Sequence, residues 1–297
     1  MTKETEKNIT FAFFGTGPLA ESVLAALVRA GYTPALLVTK PDAPQGRHLE
    51  MTSPHIKTWA EINHISTYQP ESLKELGEDS PLHSELFDLF IVASYGKMIP
   101  EDILNIPTHG VLNVHPSLLP KYRGPSPIES VLLSGDMTTG VSIMKLDDLM
   151  DHGPILTQAA FIINPNTTVG VMEVECGQLG GELLVQVLPH YIEGTLIPKE
   201  QEHDQATVCK KITKELGEIT LSTNASEVQR KFRALTPWPS VYFFIDHKDK
   251  KVRIKVTSVD LTLAGTETLV AGDIILKVIP EGKHEMLFED FKRGYLN

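Results

Sequence analysis

The sequence predicts an α/β fold: a doubly wound domain with a mixed, mostly parallel sheet, followed by a small β-rich domain. Uninterrupted apolar runs alternate with helical or loop segments over the first two thirds of the chain, which is typical of a sheet covered by helices on both faces. Short alternating runs separated by turn residues follow, and these favour a small β-barrel or meander. With 297 residues, of which 41% are hydrophobic, two domains can each bury a core.

The spacing of apolar residues predicts the elements of the first domain. Residues 8–14 form an apolar strand, and residues 19–29 repeat apolar side chains at helical spacing after a tight turn. Ser53 and Pro54 predict the N-cap and first position of a helix that ends near Asn63. Further strands are predicted over residues 35–39, 89–94, 110–115, 140–146 and 155–163.

A long helix followed by a polar segment predicts the domain boundary. Residues 168–192 carry a helical pattern that ends before Gly194, a suitable residue for a helix C-terminus. Residues 198–206 are polar and without periodicity, as in a linker. We therefore expect domains over residues 1–197 and 207–297. The second should contain helices over 210–216 and 225–235 and strands over 241–245, 252–259 and 274–279.

The charge of the chain is unevenly distributed. The net charge of −11 argues against a nucleic-acid partner for the chain as a whole. Residues 207–297, however, contain 15 Lys and Arg against 12 Asp and Glu, whereas residues 1–206 contain 12 against 26. This segregation indicates an acidic body with a mildly basic module, although solvated surface charge alone can produce it.

The sequence gives no sign of a membrane span, a metal site or a disulfide. No apolar run approaches the roughly 18 to 20 residues of a membrane helix, and the N-terminus is polar, so a cytoplasmic protein is expected. Cys176 and Cys209 have no neighbouring ligand and are interpreted as structural. Three carboxylates at Asp147, Asp148 and Asp151 suggest a metal, but one adjacent histidine and irregular spacing argue against it.

Two glycines after the first strand permit a nucleotide-binding interpretation. Gly15 and Gly17 precede a helix, whose N-terminus can bind a phosphate. A plain tight turn is the better interpretation, because Ala20 stands at the third glycine position and no acidic residue ends the second strand.

The sequence from Asn113 to Ile128, NVHPSLLPKYRGPSPI, predicts a catalytic site. Strand side chains alternate, so Asn113 and His115 share one face at the end of a strand. Together they can donate hydrogen bonds to a developing oxyanion, and the imidazole can move a proton. A strand-end cap with a satisfied histidine is the alternative. The proline-rich loop that follows suits a rigid ligand wall, and Asp151 can orient His115.

Basic and aromatic residues occur together near the C-terminus. On a small barrel they can bind a nucleic-acid backbone, whereas solvated strands with buried aromatics give the same pattern. The basic groups are Lys210, Lys211 and Lys214; Arg230, Lys231 and Arg233; and Lys248, Lys250, Lys251, Arg253 and Lys255, with Trp238, Tyr242, Phe243 and Phe244 between the last two.

These motifs resemble a known family. The segment at 113–128, followed by GVSIMKLDDLMDHGPIL at 140–156, resembles the formyltransferases that use 10-formyltetrahydrofolate. Within them, PDAPQGR at 41–47, KKITKELGEI at 210–219, RALTPWPS at 233–240 and PEGKHEMLFEDFKRG at 280–294 resemble the branch that formylates methionyl-initiator tRNA. The resemblance therefore extends over nearly the whole chain.

The resemblance implies a Rossmann-like formyltransferase domain, a C-terminal oligonucleotide-binding (OB-like) barrel and a set of site residues. It implies formyl transfer from 10-formyltetrahydrofolate to the α-amino group of the methionine esterified to tRNA, by a monomer without a metal. The implied catalytic residues are Asn113, His115 and Asp151. The implied folate-binding residues are Ser117, Leu118, Leu119, Pro120, Tyr95, Gly96, Met98, Ile99, Leu146, Asp147 and Asp148, and those for tRNA are Arg47, Lys210, Lys211, Lys248, Lys250 and Lys251.

The chain departs from the family pattern at several positions. Leu149 replaces a usual glycine in the turn near the pterin, and His48, Leu49 and Glu50 replace a run of lysines after Arg47. Rival interpretations are a nucleotide-sugar N-formyltransferase, a 10-formyltetrahydrofolate hydrolase, or a folate- or RNA-binding protein that has lost catalysis. The C-terminal resemblance argues against the two enzymes, and retention of all three catalytic residues argues against the last.

Overall fold

The computed structural model describes residues 9–45, 50–74, 76–77, 79–262 and 268–296. These residues form two compact units. The first comprises the described residues within Met1–Pro125, Thr139–Phe161 and Glu173–Val208, and the second those within Ser126–Thr138, Ile162–Met172 and Cys209–Asn297. The predicted limits at 197 and 207 stay a prediction. In the described part of the chain, no helix combines the length and apolar character needed to cross a bilayer.

A seven-stranded mixed sheet dominates the first part of the chain. The described strands of this part of the chain, seven in the sheet and two in a separate hairpin, are in chain order β1 (Phe11–Gly15), β2 (Leu36–Val38), β3 (Ala43–Gln45), β4 (Glu50–Thr52), β5 (Thr67–Tyr68), β6 (Leu89–Ala93), β7 (Val111–His115), β8 (Thr138–Lys145) and β9 (Ile155–Ile162). The sheet order is β5-β2-β1-β6-β7-β8-β9, and β3 pairs with β4 in a separate hairpin. Neighbours from β5 to β7 are parallel, whereas β8 runs antiparallel to β7.

The strands are apolar because helices and loops cover both faces of the sheet. Every residue of β1 and β6 is buried, and Phe14 packs against Phe90 and Tyr95 with ring centroids 5.1 and 5.5 Å apart. The helices are α1 (Pro18–Arg29), α2 (His55–Ile62), α3 (Pro81–Ser84), α4 (Glu101–Leu104), α5 (Pro127–Ser134), α6 (Val169–Ile192), α7 (Ala225–Leu235), α8 (Ala271–Ile274) and α9 (Phe288–Tyr295).

An antiparallel sheet forms the core of the second unit. Its strands, in sheet order, are β10 (Tyr242–His247), β11 (Lys250–Val259), β12 (Ile275–Pro280) and β13 (Met286–Leu287). Phe243 of β10 contacts Phe288 and Phe291 of α9 edge-on, with ring centroids 6.4 and 5.9 Å apart. The predicted fold class, a mostly parallel α/β domain followed by a small barrel-like β domain, is confirmed.

Two local predictions are wrong. Pro54, not Ser53, is the N-cap of α2, and the helix begins at His55. Residues 210–216 do not form an α-helix; a short 3₁₀ turn covers Lys214–Gly217, preceded by Thr213 in an extended conformation. A helix of seven residues is marginal by itself and depends on tertiary packing, and here Gly217 lies so close to Ser240 that a Cβ would be 2.0 Å from its carbonyl oxygen. Tertiary contact therefore decides the backbone.

Glycines bring α6 close to α1 and to the sheet within the first unit. A Cβ on Gly177 would lie 2.5 Å from the carbonyl oxygen of Leu19 and 2.6 Å from Cβ of Ser22. A Cβ on Gly180 would lie 2.4 Å from Cγ1 of Val114, in β7. The backbone of α6 thus packs directly behind the strand that ends in His115.

We expect Gly177→Ala to destabilise the protein by about 1 to 3 kcal/mol, because the added methyl group overpacks against a carbonyl that cannot move freely. Gly170→Ala is the control in the same helix. Gly170 is exposed with nothing within 4 Å of its Cβ position, so alanine should leave stability unchanged or raise it by up to about 1 kcal/mol. Urea unfolding followed by circular dichroism measures both, and equal stabilities would contradict this packing.

Candidate active site

Strand β7 places Asn113 and His115 near the centre of the sheet. It lies between β6 and β8, with Asn113 in register with Val92 on one side and Met144 on the other. Because side chains alternate along a strand, Asn113 and His115 leave the same face. Two hydrogen-bonded neighbours make β7 a rigid support for both side chains.

His115 is buried, and each of its ring nitrogens faces an oxygen atom. Its Nε2 lies 3.0 Å from the carbonyl oxygen of Tyr122, and its Nδ1 lies 3.5 Å from Oδ1 of Asp151. A carbonyl oxygen can only accept a hydrogen bond, so Nε2 carries the proton. Nδ1 is therefore the atom that can take up a second proton, and it faces a carboxylate.

Asp151 adopts an unusual backbone conformation that directs its carboxylate. Its φ of 49° lies in the left-handed region, which non-glycine residues rarely adopt. Oδ2 accepts a hydrogen bond of 2.7 Å from the backbone N–H of Gly124, which leaves Oδ1 facing His115. The side chain is only 13% exposed. The structure thus brings the predicted residues His115 and Asp151 together.

Burial favours the neutral imidazole. Burial lowers the pKa of His115 below its ordinary value, while the charge of Asp151 and the hydrogen bond to the Tyr122 carbonyl act in the opposite direction. The loss of solvation is the largest of the three effects. At neutral pH, His115 is therefore a neutral base with its proton on Nε2.

The Asn113 amide is available to a ligand. Its side chain is half-buried, and among the residues that the structure describes it makes no hydrogen bond to protein. An amide N–H can donate to an oxygen without changing its own charge. Asn113 thus offers a fixed donor beside His115.

The loop after β7 forms a rigid wall. Ser117 donates from Oγ to the carbonyl of Lys121 at 2.7 Å. Ser142 of β8 donates from Oγ to the carbonyl of Ser117 at 2.6 Å and accepts from the N–H of Leu119 at 3.1 Å. Gln158 of β9 donates to the carbonyl of Leu119 at 2.9 Å. The predicted folate-contacting residues Ser117, Leu118, Leu119 and Pro120 all lie on this wall, although their contact with folate stays a prediction.

A cavity of about 440 Å³ lies at the start of β7 and the end of β8 in the first unit, at the opposite end of β7 from His115. Its size and mixed polar and apolar lining suit a small heterocyclic ligand. The lining includes three of the predicted folate-binding residues, Leu146, Asp147 and Asp148. The other lining residues are Glu101, Leu104, Asn105, Pro107, Thr108, Gly110, Val111 and Lys145. The residues from α4 and the following loop were not predicted, since nothing in their sequence marks them.

The residues between Tyr95 and Ile99 that were predicted to bind folate do not line this cavity. Tyr95 packs in the core cluster with Ile99 and Leu146, and burial raises the pKa of its hydroxyl to about 12. Met98 is 73% exposed, and Gly96 adopts a φ of 72°. Tyr95, Ile99 and Leu146 thus share one core cluster, and direct folate contact by the four residues from 95 to 99 stays a prediction.

Asp147 is tied into the turn that leads to Asp151. Its Oδ1 accepts from the N–H of Leu149 at 3.0 Å, and its Oδ2 lies 2.7 Å from Nδ1 of His152. Leu149, at the unusual family position, is 54% exposed. No cluster of three or more metal-ligating side chains occurs among the residues described; the absence of a metal from the reaction stays a prediction.

The predicted tRNA-binding residues occupy exposed positions where they are described. Lys248, Lys250 and Lys251 lie at the tip of the β10–β11 hairpin, where Lys248 and Asp249 have φ values of 51° and 61°. The ammonium group of Lys251 lies 4.4 Å from the centre of the Phe244 ring. Lys210 and Lys211 are exposed in the same unit. Arg47 lies outside the described residues.

Two protein-family models match the sequence. The first, "Formyl transferase", matches residues 7–188, and the second, "Formyl transferase, C-terminal domain", matches residues 211–278. The first match contains the whole candidate site from Tyr95 to Asp151. The second contains the basic hairpin.

Similar proteins support the same grouping. Methionyl-tRNA formyltransferase of Chloroflexus aggregans is 44% identical over 78% of this chain and 75% of its own. That of Dehalococcoides mccartyi is 35% identical over 97% of this chain and 96% of its own. A crystal structure of an N-formyltransferase from Helicobacter canadensis, with folinic acid and dTDP-3-aminofucose, covers 84% of this chain and 88% of its own at a TM-score of 0.56 and 18% identity. At that identity the structural match supports the fold alone.

We expect Asp151→Asn to lower the pKa of His115 below its value in the unaltered protein, because the carboxylate is one of the two groups that raise it. Titration of the imidazole signals by NMR measures this change. Asp148→Asn, an exposed carboxylate in the same turn, should leave the titration unchanged. An unaltered His115 titration in Asp151→Asn would show that the two side chains do not interact in solution.

Proposed function

The chain belongs to the formyl transferase family, within its methionyl-tRNA formyltransferases, and from this premise we propose that Asn113, His115 and Asp151 carry out its reaction. The enzyme is a one-carbon transferase that passes a formyl group to the α-amino group of methionyl-tRNA. The single observation that carries our assignment is the contact between the buried imidazole of His115 and the carboxylate of Asp151, on the same strand face as the Asn113 amide.

The first unit has a site that fits a formylated folate. The cavity of about 440 Å³ combines carboxylate, amide and amine groups with Leu104, Leu146 and Val111, which suits a flat heterocycle with polar edges. Leu146, Asp147 and Asp148 line this cavity, whereas the wall from Ser117 to Pro120 follows the other end of β7 and would hold the formyl-bearing part beside His115. When bound, 10-formyltetrahydrofolate supplies the formyl group that is transferred.

Asn113 and His115 stabilise the negative charge that develops during transfer. As the methionine amine attacks the formyl carbon, the carbonyl oxygen becomes negative, and the Asn113 amide donates a hydrogen bond to it. The Nε2–H of His115 is the second donor, and it exchanges its hydrogen bond to the Tyr122 carbonyl for one to this oxygen. Preorganised donors of this kind are each worth roughly 10²- to 10³-fold in turnover.

His115 and Asp151 also move the proton that the amine loses. The neutral imidazole accepts it at Nδ1, through water, and the carboxylate at 3.5 Å stabilises the imidazolium that results. When the bond between the formyl carbon and the folate nitrogen breaks, the departing nitrogen takes up this proton, again through water, and His115 returns to its neutral form. Protonation in turn strengthens the Nε2–H as a donor, so proton uptake and oxyanion stabilisation support each other. Asp151 keeps this arrangement because Gly124 holds its other oxygen.

The second unit binds the tRNA in this proposal. Lys248, Lys250 and Lys251 at one hairpin tip, with Lys210 and Lys211, can contact the phosphate backbone, together with Arg47 of the first unit. We further propose selection of initiator tRNA, a monomeric enzyme and a cytoplasmic location. A nucleotide-sugar N-formyltransferase or a folate hydrolase is the less favoured function, because the chain also matches the C-terminal family domain over residues 211–278.

The function is tested by offering the enzyme 10-formyltetrahydrofolate with methionyl-initiator tRNA, methionyl-elongator tRNA, uncharged tRNA or an amino-sugar nucleotide. Formyl transfer should occur to methionyl-initiator tRNA, with formate release negligible in its absence.

Asn113→Ala should lower kcat by roughly 10²- to 10³-fold through loss of one oxyanion donor, with an unchanged melting temperature as the check on folding. Transfer to the sugar alone, or full activity of folded Asn113→Ala, would contradict the proposal.

Binding to the tRNA should weaken with salt through the hairpin lysines. We expect Lys250→Gln to reduce the slope of log K against log salt by about 1, as for one lost phosphate contact. Lys283→Gln, an exposed lysine in another turn of the same unit, should leave the slope unchanged. Fluorescence titrations with labelled tRNA between low and physiological salt measure both. Equal slopes for Lys250→Gln and the unaltered enzyme would exclude this hairpin from the tRNA contact.

A further inference from the structure

A segment from Lys199 to Thr207, here called the strap, runs past the active site. Its first residue exchanges two backbone hydrogen bonds, of 2.7 and 2.8 Å, with Ile155 at the start of β9. Its last residue accepts a hydrogen bond of 2.9 Å from the N–H of Arg123. The first attachment lies just after Asp151, and the second lies beside Tyr122, whose carbonyl binds His115. The strap therefore connects the two loops that hold the catalytic imidazole.

Gln201 is a buried residue within this otherwise polar and exposed strap. It is 6% exposed, whereas residues 202–205 are all exposed. Its Nε2 donates two hydrogen bonds, of 2.9 Å to the carbonyl of Asp151 and of 2.8 Å to the carbonyl of Gly153. Both N–H groups of one amide thus bind the backbone of the catalytic turn.

Arg123 fixes the orientation of the Gln201 amide. Its guanidinium donates to Oε1 of Gln201 from Nε at 3.1 Å and from Nη2 at 2.6 Å, and it lies 2.9 Å from Nδ1 of His203 as well. Since guanidinium groups only donate, Oε1 must face Arg123 and Nε2 must face the two carbonyls. The guanidinium is rigid and planar, so Gln201 has one fully satisfied orientation.

The backbone of Asp151 needs such support. A left-handed φ of 49° is disfavoured for aspartate and persists only where surrounding contacts over-determine it. The two carbonyls that Gln201 binds, at Asp151 and at Gly153, both follow in the chain the N–Cα bond of Asp151 that carries this φ angle. At Gly153 a Cβ would lie 2.1 Å from the carbonyl oxygen of Lys145, so the turn has little room to relax toward β8.

We propose that Gln201 is a positioning residue of the active site, which holds the Asp151 turn so that the carboxylate faces Nδ1 of His115, with Arg123 fixing the Gln201 amide in turn. The inference rests on the proposed roles of His115 and Asp151. Gln201 does not touch the reacting atoms and acts through the backbone of Asp151. Its loss should leave substrate binding intact and displace the carboxylate from the imidazole.

Two variants separate the contacts of Gln201. Gln201→Met removes both sets of hydrogen bonds, while Gln201→Glu keeps an acceptor for Arg123, and with it the buried guanidinium, but cannot donate to the carbonyls. We expect both to lower kcat by about 10- to 100-fold, the scale of a displacement near 1 Å, with KM for both substrates within about twofold. Gln205→Met and Gln205→Glu are matched controls, because Gln205 is exposed in the same strap and pairs only with Glu202 among the described residues; they should keep full activity.

The decisive measurement repeats Gln201→Met in an Asp151→Asn background. If Gln201 acts through the Asp151 carboxylate, its replacement should cost nothing further there. The same fold-loss of activity in both backgrounds would show a general structural role and overturn the inference, as would full activity of folded Gln201→Met and Gln201→Glu.

Asp151→Asn alone tests the proposed function: if it retains full activity, the catalytic assignment fails and the positioning role fails with it. A low activity of Asp151→Asn beside a fully active Gln201→Met would leave the proposed function standing and overturn the positioning role alone.

Discussion

The contact between Nδ1 of His115 and Oδ1 of Asp151, 3.5 Å long, is the interaction on which the site depends. Burial removes water from the imidazole and favours its neutral form, whereas the carboxylate favours the charged form. Burial is the larger effect and keeps the pKa of His115 lowered, while the carboxylate partly offsets it and so favours proton uptake by the ring. With a more distant carboxylate, only the hydrogen bond to the Tyr122 carbonyl would oppose burial, and His115 would be a weaker base.

The surrounding structure restricts movement on both sides of this contact. On the histidine side, β7 is hydrogen-bonded to two strands. Helix α6 packs behind it, because Gly180 has no side chain and lets Val114 of β7 approach the helix closely. On the aspartate side, the support comes from a turn rather than a strand, and a turn is intrinsically less rigid. Extra hydrogen bonds to the Asp151 segment, from Gly124 and from Gln201, therefore occur where regular structure ends.

The sequence predicts those features that depend on local periodicity. Apolar runs identified the strands, and alternation placed Asn113 and His115 on one face. Periodicity could not predict the role of the strap, because Gln201 contacts residues 48 and 50 positions away and its polar neighbours are typical of a linker. The cavity residues of α4 gave no signal for the same reason. The segment 210–216 was predicted wrongly because its spacing is helical, while the close approach of Gly217 to Ser240 accompanies a short 3₁₀ turn instead of an α-helix.

The distribution of charge divides the work between the two units. An acidic catalytic unit repels the phosphates of a tRNA, so the attraction must come from cations held elsewhere. On the β10–β11 hairpin, Lys251 lies over Phe244 and the guanidinium of Arg253 lies 3.8 Å from the centre of the Tyr242 ring. Rings beneath these cations restrict their side chains before any phosphate arrives, which lowers the entropic cost of binding. Because His48 to Glu50 replace the lysines usual after Arg47, we expect this ordered hairpin to contribute a larger share of the proposed attraction to tRNA than it would beside a lysine-rich loop.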